Sequence, residues 1–218
     1  MKTIREQEEA LFSEWERERS YLVRDGVVDE QSYVSSTSRV LLVLKEVNDE
    51  NGGGWDLREY LRKGARWQTW NTVTRWIKGI QQLERDVPWS ELGSPDEKMR
   101  QEYLRTLCVM NLKKSPGGAS ADHQEVRAVA RDGRRFLNRQ FALYDPDIVI
   151  CGGTSDIFIE IIDFDKKPGW RLSTRGLRYW EFAPDKYLLR YYHPQVRYPA
   201  PFLYYGLLDA IREVNGHT

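Results

Sequence analysis

The chain has 218 residues, and its 33 Lys and Arg are balanced by 33 Asp and Glu, so the formal charge is zero. That balance excludes a global field favouring polyanions or membranes, and any basic surface has to be local. An apolar share of 40% is ample for one large core, so the length is read as a single domain over 1–218, with residues 1–37 as a helical extension packed on it. Only Cys108 and Cys151 are present, both in apolar strand-like runs, which excludes an iron–sulfur or structural zinc site built from Cys alone. No cofactor is expected. The start, Met1-Lys2-Thr3-Ile4-Arg5-Glu6, has no apolar signal core, and no later run approaches the roughly 18 apolar residues of a membrane span. The expectation is a cytoplasmic protein with no membrane partner.

In chain order, Ile4, Leu11, Phe12, Trp15 and Leu22 lie among Glu and Arg at a spacing that predicts an amphipathic helix over 4–22. A first buried strand, Val40 to Leu44, breaks into Lys45-Glu46-Val47-Asn48-Asp49. A Gly-rich loop then leads to Trp55 and a short helix, and a second helix is predicted over 69–83. Ser94-Pro95-Asp96-Glu97 suits a helix start with Ser as N-cap. A second strand, Leu107 to Met110, ends in Asn111-Leu112-Lys113-Lys114. After Pro116-Gly117-Gly118, a helix is predicted from about 120 or 122 to 144, with Gly133 inside it. A third strand, Ile148 to Cys151, ends in Gly152-Gly153-Thr154. Residues 170–182 alternate around Gly176 as a hairpin. The last strand runs from Lys186 into Tyr192-His193-Pro194, and Pro199 opens a final helix to about 214. Strands separated by helices predict an α/β fold with a parallel sheet covered on both sides.

Four buried strands thus deliver Glu46, Asn111, the pair Gly152 and Gly153, and His193 to what reads as one substrate-binding edge, where open α/β sheets bind ligands. A carboxylate there orients or deprotonates water, and an imidazole donates a hydrogen bond to a leaving group that gains negative charge. Cleavage of an N-glycosidic bond needs both, because the sugar approaches an oxocarbenium ion while the base departs with the electrons. The Asn111 amide offers donor and acceptor at once, as reading a heterocycle requires. Each residue also has a plainer reading: a Glu after a strand as a solvated turn residue, a His-Pro pair as a strand end. His123 and His217 are read as surface residues. The loop Lys113-Lys114-Ser115-Pro116-Gly117-Gly118 suits a phosphate, although its spacing is not that of a P-loop. Arg197, with Arg171, Arg175 and Arg178, extends a candidate basic strip.

The ordered set of Leu44-Lys45-Glu46, Asn111-Leu112-Lys113-Lys114, Asp145-Pro146-Asp147, the Arg-Gly hairpin and Tyr192-His193-Pro194 resembles the uracil-DNA glycosylase superfamily over roughly residues 38–214. The resemblance implies a three-layer α/β/α sandwich with a short, mainly four-stranded parallel sheet. It also implies a DNA partner from which the target base is flipped. In these terms His193 stabilises the anionic base, Glu46 is the acidic residue after the first strand, Asn111 contacts the base and Trp55 stacks on it. Lys113, Lys114, Ser115, Gly117 and Arg197 would meet DNA. The chain departs from the family at Lys45-Glu46-Val47-Asn48, which lacks the usual Gly and Pro. Asn48 and Asp49 are therefore alternative water-activating residues. The expectation is a monofunctional DNA glycosylase acting on uracil or a bulky modified phage pyrimidine, in repair or antiviral defence. The alternatives are a non-catalytic nucleic-acid-binding module and a nucleoside or nucleotide N-glycosidase.

Overall fold

The computed structural model describes residues 2–49, 52–65, 68–118 and 120–216, so His217 lies outside the described residues. In chain order the elements are α1 (Ile4–Trp15), β1 (Gly26–Val27), α2 (Glu30–Val34), β2 (Val40–Leu44), α3 (Leu57–Arg62), α4 (Gln68–Ile80), α5 (Trp89–Leu92), α6 (Glu97–Leu104), β3 (Leu107–Asn111), α7 (His123–Asp132), α8 (Arg134–Tyr144), β4 (Ile148–Gly152), α9 (Ser155–Ile161), β5 (Arg171–Leu172), β6 (Arg178–Ala183), β7 (Lys186–Tyr191) and α10 (Ala200–Val214). β2, β3 and β4 are buried along their whole length, as expected of parallel strands covered on both faces. They form, with β7, a parallel core in the order β3-β2-β4-β7.

Alternation along each strand sorts its side chains between two apolar clusters. Leu42, Leu44, Val109, Ile150 and Leu189 pack on the layer of α3, α4, α6 and α10. Leu41, Val43, Cys108, Met110, Cys151 and Leu188 pack on α1, α7, α8 and α9. The protein is an α/β fold with helices on both faces of its sheet. Among the described residues no helix is long and apolar enough to cross a membrane.

The sheet is larger than the expected four strands. β1 pairs antiparallel with β3, β6 with β7 and β5 with β6, giving seven strands in the order β1-β3-β2-β4-β7-β6-β5. The hairpin predicted over 170–182 exists, but its second strand also joins the main sheet, because Trp180 and Phe182 bury against Phe164 and Phe141. Burial of those rings outweighs leaving β6 as a free ribbon. Three other boundaries differ. The first helix stops at Trp15 rather than continuing to residue 22. The helix predicted to end at 144 divides at Gly133, where a Cβ would lie 2.9 Å from the Trp15 ring. Trp15 in turn stacks on Phe136 at 4.8 Å, so α1 sits in the notch. Asp96, not Ser94, caps α6, its carboxylate accepting from the Met99 amide at 2.7 Å.

Candidate active site

The parallel register sets Leu44 beside Asn111, Val43 beside Cys151 and Gly152 beside Tyr191, so the residues after each strand emerge along one edge. A cavity of about 650 Å³ opens there, where the strand order reverses around β2. Glu46, Asn48, Asp49, Trp55, Asn111, Gly152, Gly153 and His193, eight residues singled out in the sequence, all line it.

Glu46 leaves the tip of β2 with its side chain only 5% exposed, and its Oε2 accepts from Lys113 Nζ at 2.6 Å. Lys113 also meets Glu125 at 2.8 Å. Gly117 is what allows this placement: a Cβ there would collide with the Glu46 carboxylate. Its backbone bonds to the β2 extension, donating to Val47 O and accepting from Asp49 N, each at 2.9 Å. Oε1 of Glu46 accepts no hydrogen bond from a described residue and is the carboxylate oxygen that Lys113 does not hold, in a residue that lines the cavity.

His193 follows β7 and is half-buried, with its Nδ1 accepting from the Gln195 amide at 3.2 Å. A backbone N–H can only donate, which assigns the proton of the neutral ring to Nε2. Burial, and secondarily the nearby Lys45 ammonium, hold the His193 pKa below its ordinary value. The ring is therefore neutral at pH 7 and carries a donor on Nε2 rather than a formal charge.

Asn111 ends β3 and is 2% exposed. Its backbone N–H and Nδ2 both donate to Oδ2 of Asp25, at 2.7 and 3.1 Å. Asp25 has no exposure and also accepts from Lys114 Nζ at 2.6 Å and Gln140 Nε2 at 2.7 Å. Beyond it, α1 contributes Glu8, buried against Arg58 and bonded to the Val27 amide. Burial pushes the Glu8 carboxyl up to about 7, against the pull of Arg58.

The remaining candidates divide. Asp49 Oδ2 accepts from Trp55 Nε1 at 2.8 Å and from the Gly53 amide at 3.2 Å, so it orients the aromatic wall. Trp55 meets Tyr60 edge to face at 6.1 Å. Asn48 is exposed at the rim. Gly153 takes a left-handed turn at φ +72°, and its N–H is committed to Cys151 O and Tyr191 O, so the glycine pair shapes the floor without offering that donor. His123 is a surface residue, 2.8 Å from Asp156.

The phosphate-gripping expectation for Lys113 and Lys114 is corrected. Their side chains are 7% and 1% exposed and each is held by carboxylates, leaving neither to meet DNA. The Gly117 amide is likewise used within the fold, and Ser115 is half-buried. Arg171 and Arg175 face Glu181 and Asp209. The exposed cations Arg178, Arg190 and Arg197 have no acidic partner among the described residues. Reading the sequence missed Tyr60, Thr69 and Trp70, which line the cavity from α3 and α4 as ordinary helix positions. It also missed Asp25, whose one signal is an Arg-Asp pair interrupting Leu22-Val23-Arg24-Asp25-Gly26-Val27-Val28. No protein-family model matches the chain, and a search of curated proteins finds no significant match.

Proposed function

We propose that the protein is a DNA glycosylase that hydrolyses the N-glycosidic bond of a flipped-out uracil or modified pyrimidine, in base excision or antiviral defence. The observation that carries the reading is the opening of a neutral imidazole donor, a carboxylate and an anchored amide into one cavity. In this reading water adds to the sugar carbon and passes a proton to Oε1 of Glu46. The carbon–nitrogen bond breaks and its electron pair leaves with the base. Nε2–H of His193 donates to the base oxygen that gathers the charge. Trp55, held by Asp49, stacks on the base, and Arg197 with Arg178 and Arg190 meets the backbone phosphates. A volume of about 650 Å³ lies well inside the roughly 300–1,000 Å³ range of small-molecule sites and accommodates a substituent on the base.

The test is incubation with DNAs carrying uracil, natural modified phage cytosines or neither, followed by mass spectrometry of released base and detection of alkali-labile abasic sites. Release is expected from one substrate. Glu46→Gln and His193→Ala should each lower turnover about 10²–10⁴-fold while DNA affinity stays within a few-fold. DNA binding without release from any substrate overturns the enzyme in favour of a binding module. A second reading, an N-glycosidase of free nucleosides or nucleotides, is favoured by the burial of Lys113 and Lys114 away from any polymer backbone. It predicts turnover without DNA and little dependence on salt.

A further inference from the structure

We propose that Asp25 is a positioning residue that fixes the rotation of the Asn111 amide, so that the cavity admits only a base edge bearing an N–H group. The amide half rests on geometry alone; the nucleobase half rests on the glycosylase reading. Every group that reaches Asp25 is a donor: the Asn111 amide N–H and Nδ2, Lys114 Nζ and Gln140 Nε2. A carboxylate so occupied accepts and does not donate. Rotating the Asn111 amide by half a turn would set Oδ1 against Asp25 Oδ2 in a site with no exposed surface, two acceptors facing each other without water. Nδ2 is therefore fixed toward Asp25. Oδ1, which accepts from no described residue, is the acceptor left on the side chain that lines the cavity.

The backbone adds to the lock. The same Oδ2 holds the Asn111 N–H at 2.7 Å, so the carboxylate grips the end of β3 as well as the side chain. Lys114 neutralises Asp25 from the side facing Phe12 and Trp15. A ligand edge opposite Oδ1 must then present hydrogen: the exocyclic amino group of a cytosine-type base or the ring imide of a uracil-type base. An edge with only acceptors or alkyl groups at that point leaves Oδ1 buried and unpaired. The N-terminal segment of the chain, read from sequence as an extension, in this way contributes to specificity.

Two measurements test the two halves separately. In the wild-type protein, NMR should show the Asn111 side-chain amide protons exchanging with water far more slowly than those of exposed Asn48. Equal rates overturn the lock, whatever the substrate proves to be. Binding of 2′-deoxycytidine and 2′-deoxyuridine is then compared with that of their N4,N4-dimethyl and N3-methyl forms. The N–H-bearing member of at least one pair should bind about tenfold or more tightly. In Asp25→Asn that preference should fall to within about threefold, with fast amide exchange. Gln140→Leu weakens the same buried network without touching the Asn111 contact, and should lower the melting temperature but keep the preference. An unchanged preference in Asp25→Asn, or equal loss in both variants, overturns the positioning role. Slow amide exchange with no binding of any of the four nucleosides overturns the nucleobase half instead.

Discussion

Lys113 and Lys114 are neighbours in sequence at the tip of one strand, yet they serve opposite sides of the molecule. Lys113 turns to Glu46, a residue of the cavity wall, and to Glu125, while Lys114 turns into the core and joins Asp25 beneath the rings of Phe12 and Trp15. Burial disfavours both ammonium groups. At Lys113 the bonds to Glu125 and Glu46 outweigh burial and raise the pKa, whereas at Lys114 burial outweighs Asp25 and lowers it. The contrast separates two kinds of polar cluster. One sits at a wall open to ligand and keeps its carboxylate available. The other is closed, and both oxygens of its Asp25 carboxylate are taken by protein donors.

The largest expected effect is on the closed side. Lys114→Met leaves Asp25 buried without a countercharge and should cost about 3–5 kcal/mol, read from the denaturant midpoint. Lys113→Met should cost less, roughly 2 kcal/mol, and show itself mainly as lost turnover, since Glu46 keeps access to solvent through the cavity. Equal stability losses would remove the distinction. The double variant Asp25→Asn/Lys114→Met should be less destabilised than the sum of its single changes, which a double-mutant cycle measures.

An effect smaller than that of Lys114→Met concerns Glu8, in the same buried layer. Its carboxyl is raised from the usual 4.5 to about 7 in the folded protein, so between those values the folded state binds the extra proton. Stability is fully present below pH 4.5, declines as pH rises toward 7 and levels off above, a change of about 3 kcal/mol at 1.36 kcal/mol per unit. Glu8→Gln should flatten this part of the curve in denaturation measured from pH 4 to 8. The smallest effect is at the open side. Lys45 contributes to the lowered pKa of His193, so Lys45→Met should raise that pKa and move the acid limb of the activity profile to higher pH. An unmoved limb would assign the limb to a group other than His193.

Much of this site was legible in the sequence because it depends on local patterns. Runs of four or five apolar residues, closed by polar residues or by a glycine pair, mark β2, β3 and β4, and a similar break marks His193 after β7. Parallel strands necessarily bring those ends to one edge. The partners of the end residues were not legible. Asp25 lies 86 positions from Asn111, 89 from Lys114 and 115 from Gln140. No spacing rule links them. The phosphate reading of Lys113-Lys114 failed for the same reason: composition shows two cations and a glycine loop, while strand alternation and two distant carboxylates decide where the charges go.

The sequence by itself determined the α/β class, the four parallel strands and the residue types at their carboxyl ends. Hydrophobic period and strand length are properties of contiguous segments. Tertiary structure alone decided that β6 joins the main sheet, that α1 and Asp25 reach the site from behind, and which cations remain free. Those outcomes turn on desolvation, which each charged group experiences only once segments far apart in the chain close around it.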